Sequence, residues 1–243
     1  MLSLDNLTIT YERHPAVHHV SGRFAEGSLT ALIGPNGAGK SSLIKALAGL
    51  IKPSGGQIDR HGLAPSDIAY LPQMAAIDDN FPMPVLDVVL MGHWRRTGAL
   101  GALTKTARDA ALQALTSVGL EGFEKRRFSS LSVGQQQRAL FARVMVADCP
   151  IILLDEPFSA IDTRTVEDLL ALIHRWQGEG RTIVAVLHDM AQVSAHFPRS
   201  LLLARRMVAW GATADVLTPA NLDKARLMGE AWDDHAAPCA GAA

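Results

Sequence analysis

The chain has 243 residues, a formal net charge of -1, 48% hydrophobic residues and two cysteines, Cys149 and Cys239. The near-neutral charge leaves no basic field for nucleic acid. Two cysteines cannot build a disulfide framework and suit a reducing compartment. No apolar run approaches the roughly 18 residues of a membrane helix, so any membrane spanning falls to another chain.

The opening stretch MLSLDNLTITYERH carries acids and lacks the apolar core of a secretory signal. Leu4 to Tyr11 alternates in part, and Ser28 to Ile33 reads as a buried strand. A helix is expected from Ser41 to about Gly49, stopped by the turn cluster Lys52-Pro53-Ser54-Gly55-Gly56. Ile68 to Leu71 is a short strand before Pro72-Gln73. Residues from about Val85 to Val118 read mainly as helix, and helix returns from Ser132 to Val146. Strands and helices then alternate: Ile151–Leu154, a helix after Asp162, Thr182–Leu187, a helix after Asp189, and Ser200–Leu203. Such alternation predicts an α/β fold with a parallel sheet, interrupted by a helical insert at about 74–130. From about Ala231 the chain is alanine-rich and aperiodic, as a frayed tail is.

Three stretches carry chemistry. GPNGAGKSS, Gly34 to Ser42, follows a strand and opens a helix, the context a phosphate loop requires. Its glycines let successive N–H groups point at phosphate oxygens, Lys40 adds a point charge, and the Ser41 hydroxyl is a Mg²⁺ ligand. Ile151 to Leu154 is an apolar strand ending in Asp155-Glu156. Asp155 then holds Mg²⁺ or its water, and Glu156 is the candidate general base. Taken alone, that pair would read as a solvated acidic turn. LSVGQQQR, Leu131 to Arg138, places Ser132 as an N-cap before an amphipathic helix. Such a start binds anions, although the pentapeptide by itself fits an ordinary capped helix equally well. A second phosphate-type site on a domain that already has one most simply serves the nucleotide of a second copy.

At these residues the chain resembles the ATP-binding subunits of ABC transporters, over essentially residues 2 to 222. GPNGAGKSS matches Walker A, Leu153-Leu154-Asp155-Glu156-Pro157 matches Walker B, and Leu131 to Gln135 matches the ABC signature. Tyr70 to Gln73 resembles the Q-loop, Ser159 to Asp162 the D-loop, and His188 the switch histidine. The resemblance implies a P-loop NTPase fold with a RecA-like core, an antiparallel β subdomain and a helical subdomain at about 74–147. It implies one domain over 1–230 and a flexible tail over 231–243. ATP would be held by Tyr11, Gly34, Pro35, Asn36, Gly37, Ala38, Gly39, Lys40, Ser41 and Ser42. From the partner copy would come Ser132, Val133, Gly134, Gln135 and Asp162. Mg²⁺ would rest on Ser41, Gln73 and Asp155, and Glu156, His188 and Gln73 would be catalytic. The implied partners are a second copy, integral-membrane permease subunits and, indirectly, a substrate-binding protein, with no nucleic acid. The implied location is cytoplasmic, on the inner face of the membrane through the permease.

A narrower resemblance points to cargo. Ile77 to Pro82, Val85 to Gly92, QQQR and the run ending at Leu222 are similar to the manganese- and zinc-importer branch. Importers of siderophores, haem or cobalamin have related subunits, and a non-importing ABC ATPase shares the same motor motifs. Val133 stands where the family usually has glycine, which costs backbone freedom near the phosphate. Asp233, Asp234, His235 and Cys239 fit an unstructured tail better than a metal site. His14, His18 and His19 are expected on a solvated surface.

Overall fold

The computed structural model describes residues 1–11, 14–73, 82–94, 98, 103–159 and 161–230. Two sheets organise it. Strands β1 (Leu2–Tyr11), β2 (His14–Phe24) and β4 (Gly55–Asp59) form an antiparallel sheet in the order β2-β1-β4. Strands β3 (Leu29–Ile33), β5 (Ile68–Leu71), β6 (Ile151–Asp155), β7 (Thr182–Val186), β8 (Arg199–Ala204) and β9 (Arg206–Ala212) form the second. Its order is β5-β6-β7-β3-β8-β9, parallel except for β9.

Every residue of β3, β6 and β7 is buried, which is why these strands read as continuous apolar runs rather than alternating ones. Their side chains still alternate between two cores. Ile152 and Leu154 face a core shared with helices Val85–Leu90, Lys105–Ser117, Val133–Ala147 and Thr163–Gly178. Ile151 and Leu153 face a core shared with helix Lys40–Leu47 and the antiparallel sheet. Each fully buried Leu or Ile contributes about 1.5–3 kcal/mol relative to exposure.

Several local signals act as the sequence predicts. Helix Lys40–Leu47 ends at Gly49, whose φ of 78° lets Leu50 N–H donate to the Lys45 carbonyl and Gly49 N–H to that of Ala46. Helix Val133–Ala147 starts at Ser132, inside a reciprocal capping box with Gln135.

Other expectations are corrected. Strands β2, β4 and β9 do not stand out in the sequence. The expected turn cluster ends at Ser54, and Gly55-Gly56 instead begin β4. Gly56 sits at a register shift between β1 and β4 with φ 71°, where a methyl would meet the Asn6 carbonyl at 2.3 Å. His18 is buried rather than solvated, with its Nδ1 accepting from Arg206 Nε at 3.0 Å. The Val85–Val118 stretch, which reads as mainly helical in two apolar segments, holds the two described helices Val85–Leu90 and Lys105–Ser117, with a short 3-10 turn, Met91–His93, after the first. Residues 77–81, Ala160 and the tail from 231 lie outside the described residues. Among the described residues no helix is long and apolar enough to cross a membrane.

Candidate nucleotide site

The parallel strands deliver four loops to one edge of the sheet. Register pairs Leu32 with Val186, Val186 with Asp155, and Leu154 with Leu71. The chain therefore leaves β3 at Gly34, β6 at Glu156, β7 at Leu187-His188 and β5 at Pro72-Gln73, all at the carboxyl ends of strands. That is where open α/β sheets bind ligands.

The loop Gly34–Gly39 runs from β3 into helix Lys40–Leu47. Gly39 has φ 89°, and a methyl on it would stand 2.0 Å from the Ala16 carbonyl. Gly37 has φ 74° with nothing within 4 Å of an added methyl, so its backbone faces open space. A cleft of about 350 Å³ opens there, lined by Tyr11, Ala16, Asn36 to Ser42, Glu156 and His188. Gly34 and Pro35 lie behind it. Gly34 packs on the Leu203 carbonyl, and the carbonyls of Gly34 and Pro35 accept from Lys40 Nζ at 2.8 and 2.9 Å. Lys40 is buried, and desolvation lowers its pKa despite the nearby Glu156 and Asp155 carboxylates. The ammonium thus sits folded back on its own loop, held by neutral carbonyls that an anion could displace.

Asp155 is 1% exposed. Its Oδ1 accepts from Ser41 Oγ at 3.4 Å and its Oδ2 from Tyr70 Oη at 3.3 Å. Burial raises its pKa, and the Glu156 charge adds to that, against the Tyr70 bond, Lys45 and Ser41. The same burial, with Asp155 beside it, pushes the Tyr70 phenol up. These contacts are long for charge-assisted bonds. They leave the carboxylate poorly compensated, which suits a hard cation. One carboxylate and one hydroxyl form the sparse protein donor set that Mg²⁺ takes when phosphates and water complete its octahedron. Among the described residues there is no cluster of three or more His, Cys, Asp or Glu that would hold a metal ion unaided.

Glu156 sits at φ 50°, a left-handed conformation that aims its side chain back across the strand ends. Gln73 Nε2 donates to its Oε2 at 2.7 Å, Ser159 Oγ donates to the same oxygen at 3.2 Å, and His188 Nε2 lies 2.7 Å from its Oε1. Burial alone would raise its pKa. The bond and charge of His188, with Ser159 and Lys40, outweigh that and hold it below the usual value, so it stays ionised at neutral pH.

The structure brings Tyr11, Asn36 to Ser42, Gln73, Asp155, Glu156 and His188 together. Ser132, Val133, Gly134 and Gln135 are not in this cleft. They sit at another helix start beside Asp162, and a methyl on Gly134 would lie 3.8 Å from Asp162 Oδ2. Asp162 caps helix Thr163–Gly178, and Gln135 is engaged in the capping box. Tyr70 and Ser159 were not predicted to contact the carboxylates. Their only signal is position, one strand and one turn away from them.

The ABC transporter family profile matches residues 17–159. The manganese transport system ATP-binding protein of Bacillus subtilis is 40% identical over 92% of this chain and 91% of its own length. This chain belongs to the ABC transporter family. It is one of the family's ATPase subunits. The zinc transport system ATP-binding protein of Treponema pallidum is 38% identical over 92% of this chain and 86% of its own. A bacterial ABC transporter cassette solved as a dimer is 28% identical, with a TM-score of 0.76 over 88% of this chain and 99% of that one. The motifs on the cleft are therefore those of an ABC ATPase, and cassettes of this family form dimers.

Proposed function

We propose that this ABC ATPase drives import of a divalent metal ion, manganese or zinc, through a membrane permease. The observation that supports the motor chemistry best is the junction at Glu156. A carboxylate just past a buried strand faces the phosphate-loop cleft and is held by three side chains, Gln73, Ser159 and His188. The cargo reading rests on the similarity to manganese and zinc transport subunits.

ATP is the substrate. The backbone N–H groups of Asn36 to Ser41 cradle its phosphates, and Tyr11 stacks on its base from the cleft rim. Lys40 leaves the carbonyls of Gly34 and Pro35 for the β- and γ-phosphate oxygens. Asp155 and Ser41, with Gln73, would hold Mg²⁺. Bound there, Mg²⁺ would supply positive charge to the phosphate oxygens during γ-phosphoryl transfer. His188 turns from Glu156 to the γ-phosphate, which frees Glu156 Oε1 to take a proton from the attacking water. The start of helix Val133–Ala147, with Ser132, Gly134 and the Val133 N–H, serves the γ-phosphate held by a second copy. Hydrolysis removes that bridge and the dimer opens. Met91 and Trp94 are exposed beside the helical segment that begins at Val85, and this face receives the permease on the cytoplasmic side of the membrane.

Lys40→Ala tests the site: Mg-ATP affinity measured by calorimetry should fall at least about 100-fold, as for a lost charged phosphate contact. Retained tight binding would reject the assignment. A deletion strain tests the cargo. It should fail to grow when manganese or zinc is limiting and recover when the metal is restored. A defect confined to growth on a siderophore would reject metal-ion import.

A further inference from the structure

Helix Val133–Ala147 and the loop ending at Asp162 are joined inside one chain by a directed run of hydrogen bonds. Arg138 Nη2 donates to Thr165 Oγ1 at 2.8 Å, and more weakly to Asp168 Oδ2 at 3.4 Å. The Thr165 hydroxyl donates in turn to Asp162 Oδ2 at 2.7 Å. Thr165 N–H donates to Asp162 Oδ1 at 3.0 Å. Thr165 is only 3% exposed, so water does not compete for its hydroxyl. That hydroxyl has one proton. A guanidinium only donates and an ionised carboxylate only accepts, so the order Arg138, Thr165, Asp162 runs one way. Gly134 lies against the far end, with Asp162 Oδ2 and Ile161 Cγ2 each 3.8 Å from where a methyl would be. None of these residues lines the chain's own phosphate-loop cleft.

We propose that Arg138 and Thr165 are positioning residues that lock the Ser132–Gly134 helix start to Asp162, so that each protomer presents the two as one rigid unit to its partner's nucleotide. The inference rests on the shared-site reading above. The cap of helix Thr163–Gly178 needs only the backbone N–H of Thr165. The Thr165 hydroxyl is therefore surplus to helix capping, and its role is the link between the two elements. An arginine suits the other end because both bonds come from Nη2, whose two protons serve Thr165 and Asp168 at a reach one bond longer than that of a lysine ammonium. Asp162 stays ionised, because the N–H and hydroxyl of Thr165 hold its carboxyl below the usual range.

The test is Thr165→Val in a Glu156→Gln background, where ATP is not consumed. Valine keeps the shape and the backbone cap but removes the hydroxyl. A two-fold dimer carries the defect twice, so a loss of about fivefold per site becomes about 25-fold in the ATP-dependent dimer dissociation constant. Sedimentation velocity reads that constant. Mg-ATP affinity of the dilute monomer should be unchanged, and Thr165→Ser should restore dimer affinity. Unchanged dimer affinity in Thr165→Val overturns the proposal, and so does a matching fall in monomer ATP affinity, which marks a merely structural role. If Thr165→Val does not fold, Arg138→Lys replaces it: the same weakening is expected, and unchanged dimer affinity overturns the proposal. If Glu156→Gln alone never dimerises with ATP, the shared-site reading falls first, and this proposal with it.

Discussion

Glu156→Gln isolates the proposed base from everything else in the site. The carboxylate accepts from Gln73 and Ser159 on one oxygen and faces His188 on the other, at 2.7, 3.2 and 2.7 Å. A glutamine amide has the same shape. Its carbonyl keeps the Gln73 and Ser159 bonds, and its NH₂ faces His188, whose Nε2 accepts in the other neutral tautomer. The packing survives, while the negative charge and basic lone pair are lost. Turnover should therefore fall by the value of a general base, about 10²–10⁴-fold or ~2.7–5.4 kcal/mol. Mg-ATP affinity should stay within about threefold, because the binding contacts are elsewhere. Single-turnover phosphate release at saturating Mg-ATP measures the first, and calorimetry the second. A variant that releases phosphate within about tenfold of the parent rate would refute the choice of Glu156 as base. The same pair of proteins carries a pH signature. Glu156 titrates below its ordinary 4.5 in the folded chain, so its stabilisation is present above that value and lost as pH falls through the folded pKa. The difference in Tm between parent and variant should shrink to nothing under strong acid. A difference that grows there would show that the contacts of Glu156 do not favour its ionised form.

Asp155→Asn should raise Tm at neutral pH while abolishing Mg²⁺-dependent binding. The folded pKa of Asp155 lies above its ordinary 3.8, so ionisation costs stability as pH rises through that window, and each kcal/mol relieved is worth about 2–4 °C. A lower Tm would show that the Tyr70 and Ser41 bonds outweigh burial. Gly39→Ala should destabilise the chain by about 1–3 kcal/mol and abolish nucleotide binding, because alanine resists φ 89° and its methyl meets the Ala16 carbonyl at 2.0 Å. Denaturant unfolding and calorimetry read the two effects, and parent-like values would contradict the loop geometry. Val133→Gly should cost up to about 1 kcal/mol in helix stability, yet tighten ATP-driven dimerisation by freeing space at an exposed helix start. Equal dimer affinity would show that the valine does not tune closure.

The sequence by itself determined the chemistry whose parts are contiguous. A phosphate loop needs its glycines, lysine and serine in one run, so strand, GPNGAGKSS and helix could be read together. Likewise an apolar strand ending in Asp155-Glu156 and a capped helix at Ser132 are local patterns, set by burial and by unsatisfied N–H groups. What only the tertiary structure decided is adjacency. Strand order β5-β6-β7-β3 brings Gln73, Glu156 and His188 onto one carboxylate, although 83 and 32 residues separate the others from Glu156. Tyr70 finds Asp155 because β5 is the neighbour of β6, and no periodicity in either strand announces that pairing. Strands β2, β4 and β9 escaped for a related reason. Their ladders are irregular, with register shifts in the β1–β2, β1–β4 and β8–β9 pairings, so a strict two-residue alternation is not preserved. The link from Arg138 through Thr165 to Asp162 joins two helix starts that the sequence shows only as separate caps. Hydrogen-bond partners across packed elements are chosen by three-dimensional register, and a linear pattern of residues does not encode that register locally.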